Sequence, residues 1–389
     1  MERKVVVAIL GACGWMGKCH SLAYRNASLL YPENEINLEI RWVVDTNENN
    51  LQKIKHCYPN SRFSTDWRDV LEDKDVNLVD ICLPDNMHFE VAKASLLADK
   101  NVYCEKPFTS NQEEALMLAE MAEEKSLVTR VGHNFPMNPV HEMTRDLLLN
   151  GEIGDLTLFK ASMHVDVLAD PEIPFMWRCD ANLAPTGVVG DVASHLFSFI
   201  NLLIGPISSL VADVATVTGK RNVVDGFGYG AQERKSSSNV FREVTNSDMV
   251  NILCNFEKGG RGVIDVSRVA YGHRFMQTYE IYGTKGAINF DYDQVNRLNV
   301  CFGSDSYEKQ GFRSIDVGPD RENFRTFLPV ANFALGYNEF KAIEVCEVIR
   351  SVADGKPRWP TFRNGYEIMR VVDACFLSSK KREWVSVDS

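Results

Sequence analysis

Val5-Val6-Val7-Ala8-Ile9-Leu10 runs directly into Gly11-Ala12-Cys13-Gly14-Trp15-Met16-Gly17, and this stretch decides the fold. Six apolar residues bounded by a glycine-rich turn read as a buried strand, and residues 14–26 behind the turn read as a helix. Glycines at such a junction let the backbone approach a pyrophosphate on the helix N-terminus, where free N–H groups and the dipole favour anions. The spacing approximates G-x-G-x-x-G, with Ala12 in the place of the first glycine and Gly11 just before it. Glycine-rich strand-to-helix turns also arise for packing reasons alone. Taken by itself, the turn leaves dinucleotide binding and simple packing both open.

Outward from there the alternation continues. Strands are expected at residues 39–45, 76–83, 102–105 and 127–131, with helices at 47–56, 87–98 and 111–125 between them. This cadence means parallel pairing with helices on both faces, a doubly wound α/β sheet of the Rossmann kind. Near Asn134-Phe135-Pro136 the pattern changes. After a helix at 140–150, strands follow one another at 156–167, 208–217, 248–256, 262–269, 277–282, 287–291 and 298–302. Consecutive strands of this kind imply a C-terminal α/β domain with a large open antiparallel sheet. Thr284-Lys285, between Gly283 and Gly286, reads as a hairpin turn. Residues 219–247, with Ser236-Ser237-Ser238 at their centre, read as a mobile loop or oligomer arm. Two late helices at 338–353 and 364–379 flank a turn at 355–360. The expected division is a dinucleotide-binding domain over 1–135 and a substrate-binding and oligomerisation domain over 136–389, with the helices of 338–380 packing back on the first domain.

The chain has 389 residues, 45% hydrophobic and 24% charged, which at roughly 150 residues per domain allows two to three domains. Lys and Arg number 42 against 53 Asp and Glu, for a net charge of −11. Such a balance repels phosphate backbones and anionic bilayers, so no nucleic-acid or membrane partner is expected. The ten cysteines are scattered, without a CxxC pair or a Cys/His cluster, and read as reduced thiols of a cytoplasmic protein. Arg3-Lys4 ahead of the first apolar run imitates a signal peptide. Six apolar residues fall short of the roughly 7–15 of such a core, and no run nears the roughly 18 that span a bilayer. Residue 1 is therefore the expected mature start.

Three further motifs carry chemistry. Asp45 ends the second strand, 28 residues after Gly17 because of a loop around 28–37. A carboxylate there can bind ribose hydroxyls and repel a 2′-phosphate, which favours NAD over NADP, and residues 46–50 hold no Lys or Arg. A turn aspartate would look the same. Glu105-Lys106-Pro107 lies at the carboxyl end of a strand, the edge where ligands bind in such sheets. Lys106 there can polarise a hydroxyl or simply be solvated. Asp191 and His195 are four apart on an expected helix and share a face. They suit either a proton acceptor with its carboxylate or a capped, buried histidine.

Together and in this order the motifs resemble the Gfo/Idh/MocA oxidoreductase family, over nearly the whole chain and nearest its glycoside-oxidising branch. Shared features include residues 17–24 (Gly17-Lys18-Cys19-His20-Ser21-Leu22-Ala23-Tyr24), Trp177-Arg178, Gly336-Tyr337, Gly365-Tyr366 and Trp384-Val385. The resemblance implies Lys106, Asp191 and His195 as the catalytic trio. It implies Gly11, Ala12, Gly14, Trp15, Met16, Gly17, Asp45, Pro84, His88, Glu105, Lys106 and Asn134 as the cofactor set. Asp166, Trp177 and Arg178 join the trio as substrate-binding candidates. It also implies an NAD-dependent dehydrogenase that moves hydride between nicotinamide and a secondary hydroxyl of a sugar, glycoside or cyclitol, a glycoside 3-dehydrogenase being one form. An inositol or free-sugar dehydrogenase, or an NAD-sensing regulator without catalysis, are the alternatives. A homo-oligomer, dimer or tetramer, through the open sheet is expected, and no metal is called for. The chain departs from the family pattern at Ala12, at Asp85 in Pro84-Asp85-Asn86, at Pro136-Met137 and at Ser198.

Overall fold

The computed structural model describes residues 4–32, 35–224 and 240–387. They fall into two compact units: residues 1–138 with 319–329 and 335–366, and residues 139–318 with 330–334 and 367–389.

The first unit alternates strand and helix, as the sequence pattern requires. In chain order its elements are β1 (Lys4–Leu10), α1 (Trp15–Leu30), β2 (Asn37–Val44), α2 (Glu48–Ile54), β3 (Arg62–Ser64), α3 (Asp69–Glu72), β4 (Leu78–Ile81), α4 (His88–Leu97), β5 (Asn101–Glu105), α5 (Gln112–Glu124) and β6 (Thr129–Gly132). The six strands form one parallel sheet in the order β3-β2-β1-β4-β5-β6. Val5 to Leu10 are all buried, which is why β1 reads as an unbroken apolar run rather than an alternating one. The order reverses at β1/β4, so the carboxyl ends of β1, β2, β4 and β5 open onto one crevice edge.

The second unit opens with α6 (Pro139–Leu149) and β7 (Leu156–His164), then α7 (Ser194–Leu203). It continues with β8 (Ile207–Ala215), β9 (Lys220–Asn222), β10 (Phe241–Glu243), β11 (Met249–Phe256), β12 (Arg261–Ser267), β13 (Met276–Gly283), β14 (Gly286–Asp291), β15 (Arg297–Phe302) and β16 (Arg313–Asp316). The chain then returns to the first unit for α8 (Glu322–Arg325) and α9 (Tyr337–Asp354), and α10 (Phe362–Lys381) leads on to β17 (Val385–Ser386) at the edge of the second unit's sheet. Nine strands join in the order β16-β15-β14-β13-β7-β12-β11-β8-β17. All neighbours are antiparallel except β7 and β12, which run parallel. That pair is parallel because β7, the first strand of the unit, takes the centre of the sheet and its partner arrives about a hundred residues later. The 283–286 hairpin forms as expected, with Tyr282 opposite Ala287.

One region differs from the sequence reading. Residues 219–247 are not wholly loop, since β9 and β10 pair with Arg221 opposite Arg242. Arg221 is fully buried there, and its guanidinium donates to the carbonyls of Leu168, Asp170 and Ile173. Ser236-Ser237-Ser238 lie outside the described residues. In the first unit, α9 supplies Ala342, Val345, Cys346 and Ile349 to the core formed by β1 and α1, around Val5, Val7, Tyr24 and Ala27. Truncating a side chain such as Ile349 to alanine there costs about 2–5 kcal/mol. All ten cysteines are free thiols, and no helix among the described residues is long and apolar enough to cross a membrane.

Candidate active site

The first unit gathers its candidate residues on the turn after β1. Gly11 has φ +80° and its N–H donates to Val44 O, while a Cβ on it would lie 2.4 Å from Cys82 O. Because Gly11 takes the left-handed conformation, Ala12 needs none, and its methyl is buried; this is how the turn accommodates the missing glycine. At Gly17 a Cβ would sit 2.3 Å from Gly11 O, so only glycine lets α1 start this close to β1. Gly14 is the N-cap, with no side-chain cap and no acidic residue in the first helical turn. The helix start therefore keeps its N–H groups and positive dipole end for an anion. Trp15 is 59% exposed and stacks on Tyr337 at 5.4 Å, Phe135 meets Tyr337 edge-on, and Tyr337 Oη faces Met16 Sδ at 3.2 Å.

Asp45 closes this turn. Its Oδ2 accepts the Cys13 N–H and its Oδ1 the Asn47 N–H, both at 3.0 Å. The carboxylate is thus fixed beside the glycine turn at the end of β2, where ribose hydroxyls of a dinucleotide would lie. A bare helix start, a close glycine turn and an anchored carboxylate with no basic residue at 46–50 match the chemistry of NAD. Burial, then the Asp45 carboxylate, push the Cys13 thiol up to about 11, so it stays protonated.

The remaining members of the expected cofactor set lie on the loops after β4, β5 and β6. Pro84 caps a short turn over Asp85–Met87, and this turn absorbs the Asp85 departure. His88 is wholly buried, its nitrogens facing Pro107 O at 2.7 Å and Leu83 O at 2.9 Å. It ties the loop after β4 to the loop after β5. Glu105 is 5% exposed and turned inward, with Oε2 accepting the Lys106 N–H at 3.2 Å. Asn134 is buried at the start of the short turn over Phe135–Met137. Within that turn Met137 Sδ receives a hydrogen bond from buried Arg130, which is where the Pro136-Met137 departure leads. His133, beside them, was missed by the sequence reading. Burial, reinforced by Lys106, Lys341 and Arg130, pushes it down to about 3 against the pull of Glu105, so it is neutral.

In the second unit, Trp177–Cys179 form one short turn, with the Arg178 guanidinium 4.2 Å above the Trp177 ring. Arg178 Nε donates to Asp191 Oδ2 at 2.9 Å, so Trp177, Arg178 and Asp191 are brought together. Asp191 lies on a π-helical turn, Val189–Ala193, that continues into α7, where His195 is the second residue and 7% exposed. Such wide turns concentrate at functional sites. A Cβ at Gly190 would stand 2.0 Å from Thr186 Oγ1, so this turn forms only with glycine there. Asp166 is half-buried just past β7. Ser198, standing where the family often has aspartate, is buried and bonds back to His195 O at 2.7 Å.

Sequence reasoning missed what holds this loop. Asn246 Nδ2 donates to Arg178 O and Ala184 O, Arg268 Nη1 donates to Arg178 O, and Arg268 Nε pairs with buried Asp248 at 3.1 Å. These residues straddle the start of β11 and the end of β12, far from residue 178 in sequence. The available hint was polar residues flanking otherwise apolar strands.

His20, Asp80 and Cys82 offer donor atoms within 4.8 Å of one another. Hydrogen bonds account for that closeness, since His20 already uses Nδ1 on Asp80 and Nε2 on Glu105.

The family description "Oxidoreductase family, NAD-binding Rossmann fold" matches residues 5–133, and "GFO/IDH/MocA C-terminal domain" matches residues 141–289. Levoglucosan dehydrogenase of Pseudarthrobacter phenanthrenivorans is 30% identical over 98% of this chain and 97% of its own. The solved structure of levoglucosan dehydrogenase in complex with NADH and levoglucosan superposes with a TM-score of 0.91 at 28% identity, covering 99% of this chain and 100% of that one. An NAD binding oxidoreductase from Klebsiella pneumoniae gives a TM-score of 0.91 at 29% identity, with both chains covered completely.

Proposed function

The chain belongs to the Gfo/Idh/MocA oxidoreductase family, with an NAD-binding Rossmann unit, and from that premise we propose that it oxidises a secondary hydroxyl of a sugar, glycoside or cyclitol. The observation that carries the reading is the second unit's cluster. A carboxylate, Asp191, is held by Arg178 on a Trp177 face, one helical turn ahead of His195. Trp177 suits the apolar face of a sugar ring, and the Arg178–Asp191 pair suits its hydroxyls. Levoglucosan dehydrogenase, similar over almost the full length, supports the same substrate class.

NAD, when bound, supplies the hydride acceptor. The residues assigned to hold it are Gly11 to Gly17 and Asp45, with Trp15 and Met16 at the helix start and Asn134 behind Phe135. Lys106 is assigned a hydrogen bond to the reacting oxygen, and His195 takes the proton from that oxygen. Asp191 orients the hydroxyl or the imidazole, and Asp166 joins the sugar contacts. Acid–base help of this kind contributes about 10²–10⁴-fold. We further assign the protein to carbohydrate metabolism in the cytoplasm, acting as a homo-oligomer (dimer or tetramer) through the open sheet.

The test is NADH formation with NAD or NADP against glycosides, free hexoses and inositols. Turnover confined to one of these classes, with NAD preferred, is the expected result. NAD binding without turnover on any of them would return the protein to the regulator reading.

A further inference from the structure

Five ionisable side chains meet inside the first unit almost without access to water. His20, Asp80, Lys341 and Glu344 are completely buried, and Glu105 is nearly so. Taking one ion out of water costs several kcal/mol even after relaxation, so each must be paired. Lys341 Nζ spends its three protons on Glu105 Oε1 at 2.7 Å, Glu344 Oε2 at 2.5 Å and Tyr103 Oη at 3.0 Å. His20 Nε2 meets the same Glu105 Oε1 at 2.9 Å, while Nδ1 meets Asp80 at 2.9 Å. Tyr103 donates to Glu344 at 2.7 Å and stacks on His20 at 4.8 Å. With one Glu105 oxygen occupied by Lys341 and His20, the other accepts the Lys106 N–H.

Burial opposes every charge here, and the partners outweigh it. Glu105 and Glu344 drive the Lys341 ammonium up, Asp80 and Glu105 drive His20 up, and Lys341 with His20 holds Glu105 well below the usual carboxylate range. Apolar residues of the same volume would often fold this interior equally well. The cluster is therefore more than folding requires, and it meets the assigned chemistry at the Lys106 backbone.

We propose that Lys341 is a positioning residue for the reaction: acting through Glu105, it fixes the backbone at Lys106 and so the direction in which that side chain leaves β5. The inference rests on the assignment of Lys106 to the reacting oxygen. The brace comes from α9, 236 residues from Glu105, so the end of β5 is aligned by an element outside the sheet. A misplacement of about 1 Å in a catalytic group can cost on the order of 10²-fold in rate.

The test compares Lys341→Met and Lys341→Arg in the full-length protein. NADH binding is followed by fluorescence, turnover on the sugar that the wild type oxidises, and amide hydrogen exchange at Lys106. Lys341→Met is expected to lower kcat roughly 10- to 100-fold while KM and the NADH Kd stay within about two-fold, and to speed exchange at Lys106 but not in β1. Lys341→Arg, which keeps the charge, is expected to restore part of kcat. A parallel loss of kcat and NADH affinity, or unchanged exchange at Lys106, would overturn the proposal. If Lys341→Met does not fold, Tyr103→Phe removes one partner each from Lys341 and Glu344, and the same split is expected at roughly 2- to 5-fold. If the wild type turns over no sugar, the proposed function fails, and exchange at Lys106 still decides whether Lys341 holds that backbone.

Discussion

His20 and His141 are both buried, and the two units treat them in opposite ways. His20 lies between Asp80 and Glu105, and these carboxylates raise its proton affinity despite the burial. His141 meets the Tyr279 hydroxyl at 2.9 Å and the rings of Tyr279, Phe199 and Phe290, and burial pushes it down to about 3. Burial sets the cost of charge, and the partner decides whether the charge is kept. The first unit accordingly concentrates ions directly behind Lys106. The second keeps a neutral aromatic cluster around His141, and its fully buried ion pair, Arg268–Asp248, backs the loop that carries Arg178 and Asp191.

The largest expected effect strikes the first unit's charged edge. Lys106→Ala should abolish measurable turnover, a loss at the upper end of about 10²–10⁴-fold, and leave NADH affinity within a few-fold. Steady-state kinetics with fluorescence binding checks this, and retained turnover would sink the assignment. Next comes the second unit's buried pair. Asp248→Ala leaves Arg268 without its counter-ion and should cost about 3–5 kcal/mol in denaturant unfolding, with KM for sugar rising because Arg178 O loses a fixed donor.

The histidines themselves give the sharpest form of the contrast. His141 is depressed in the folded state to about 3, so its stability contribution is complete above the unfolded value of about 6.5. It is lost as pH falls from about 6.5 towards 3, because the unfolded chain takes up a proton that the folded one refuses. His141→Phe should flatten the thermal stability profile in that window by up to a few kcal/mol, with Tyr279 still bonded to Thr144 at 2.8 Å. His20 has the opposite sign, since its folded value is raised. Its contribution is complete below about 6.5 and fades as pH rises through the folded value, so His20→Gln should cost stability on the acid side and remove the fall on the alkaline side. A His141→Phe profile identical to the wild type would remove the comparison's foundation.

The smallest effect concerns cofactor choice. Asp45→Ser should narrow the preference for NAD over NADP by roughly ten-fold, about 1.4 kcal/mol, because the carboxylate no longer repels a 2′-phosphate. Kd values for both cofactors measure it directly.

Much of this was legible from local pattern. The apolar run 5–10, the turn at 11–17, Asp45 at a strand end and Lys106 after another are all set by residues close in sequence. Short pieces were not legible: β3, β16, β17, α3 and α8 have two to four residues each, too few for any periodicity to register. The parallel pairing of β7 with β12 escaped too, since strand order depends on contacts a hundred residues apart. Lys341 and Glu344 sit among Phe340, Ala342, Ile343 and Val345, a charged pair on an otherwise buried helix face, and that was the available signal for the network behind Lys106. The inward turn of His88 and Glu105 left no trace in spacing, because which way a polar side chain faces is settled by the partner that meets it.

The sequence by itself determined the alternation of strands and helices, the glycine turn and the acidic, NAD-favouring strand end, because these follow from periodicity and from backbone geometry within a few residues. Only the tertiary structure decided which buried groups keep their charge, for a proton's affinity depends on partners that folding brings within 3 Å. Glu105 is the clearest instance. Its neighbours in sequence mark a ligand-binding edge, yet its carboxylate belongs to the interior, held by a lysine and a histidine from two other helices.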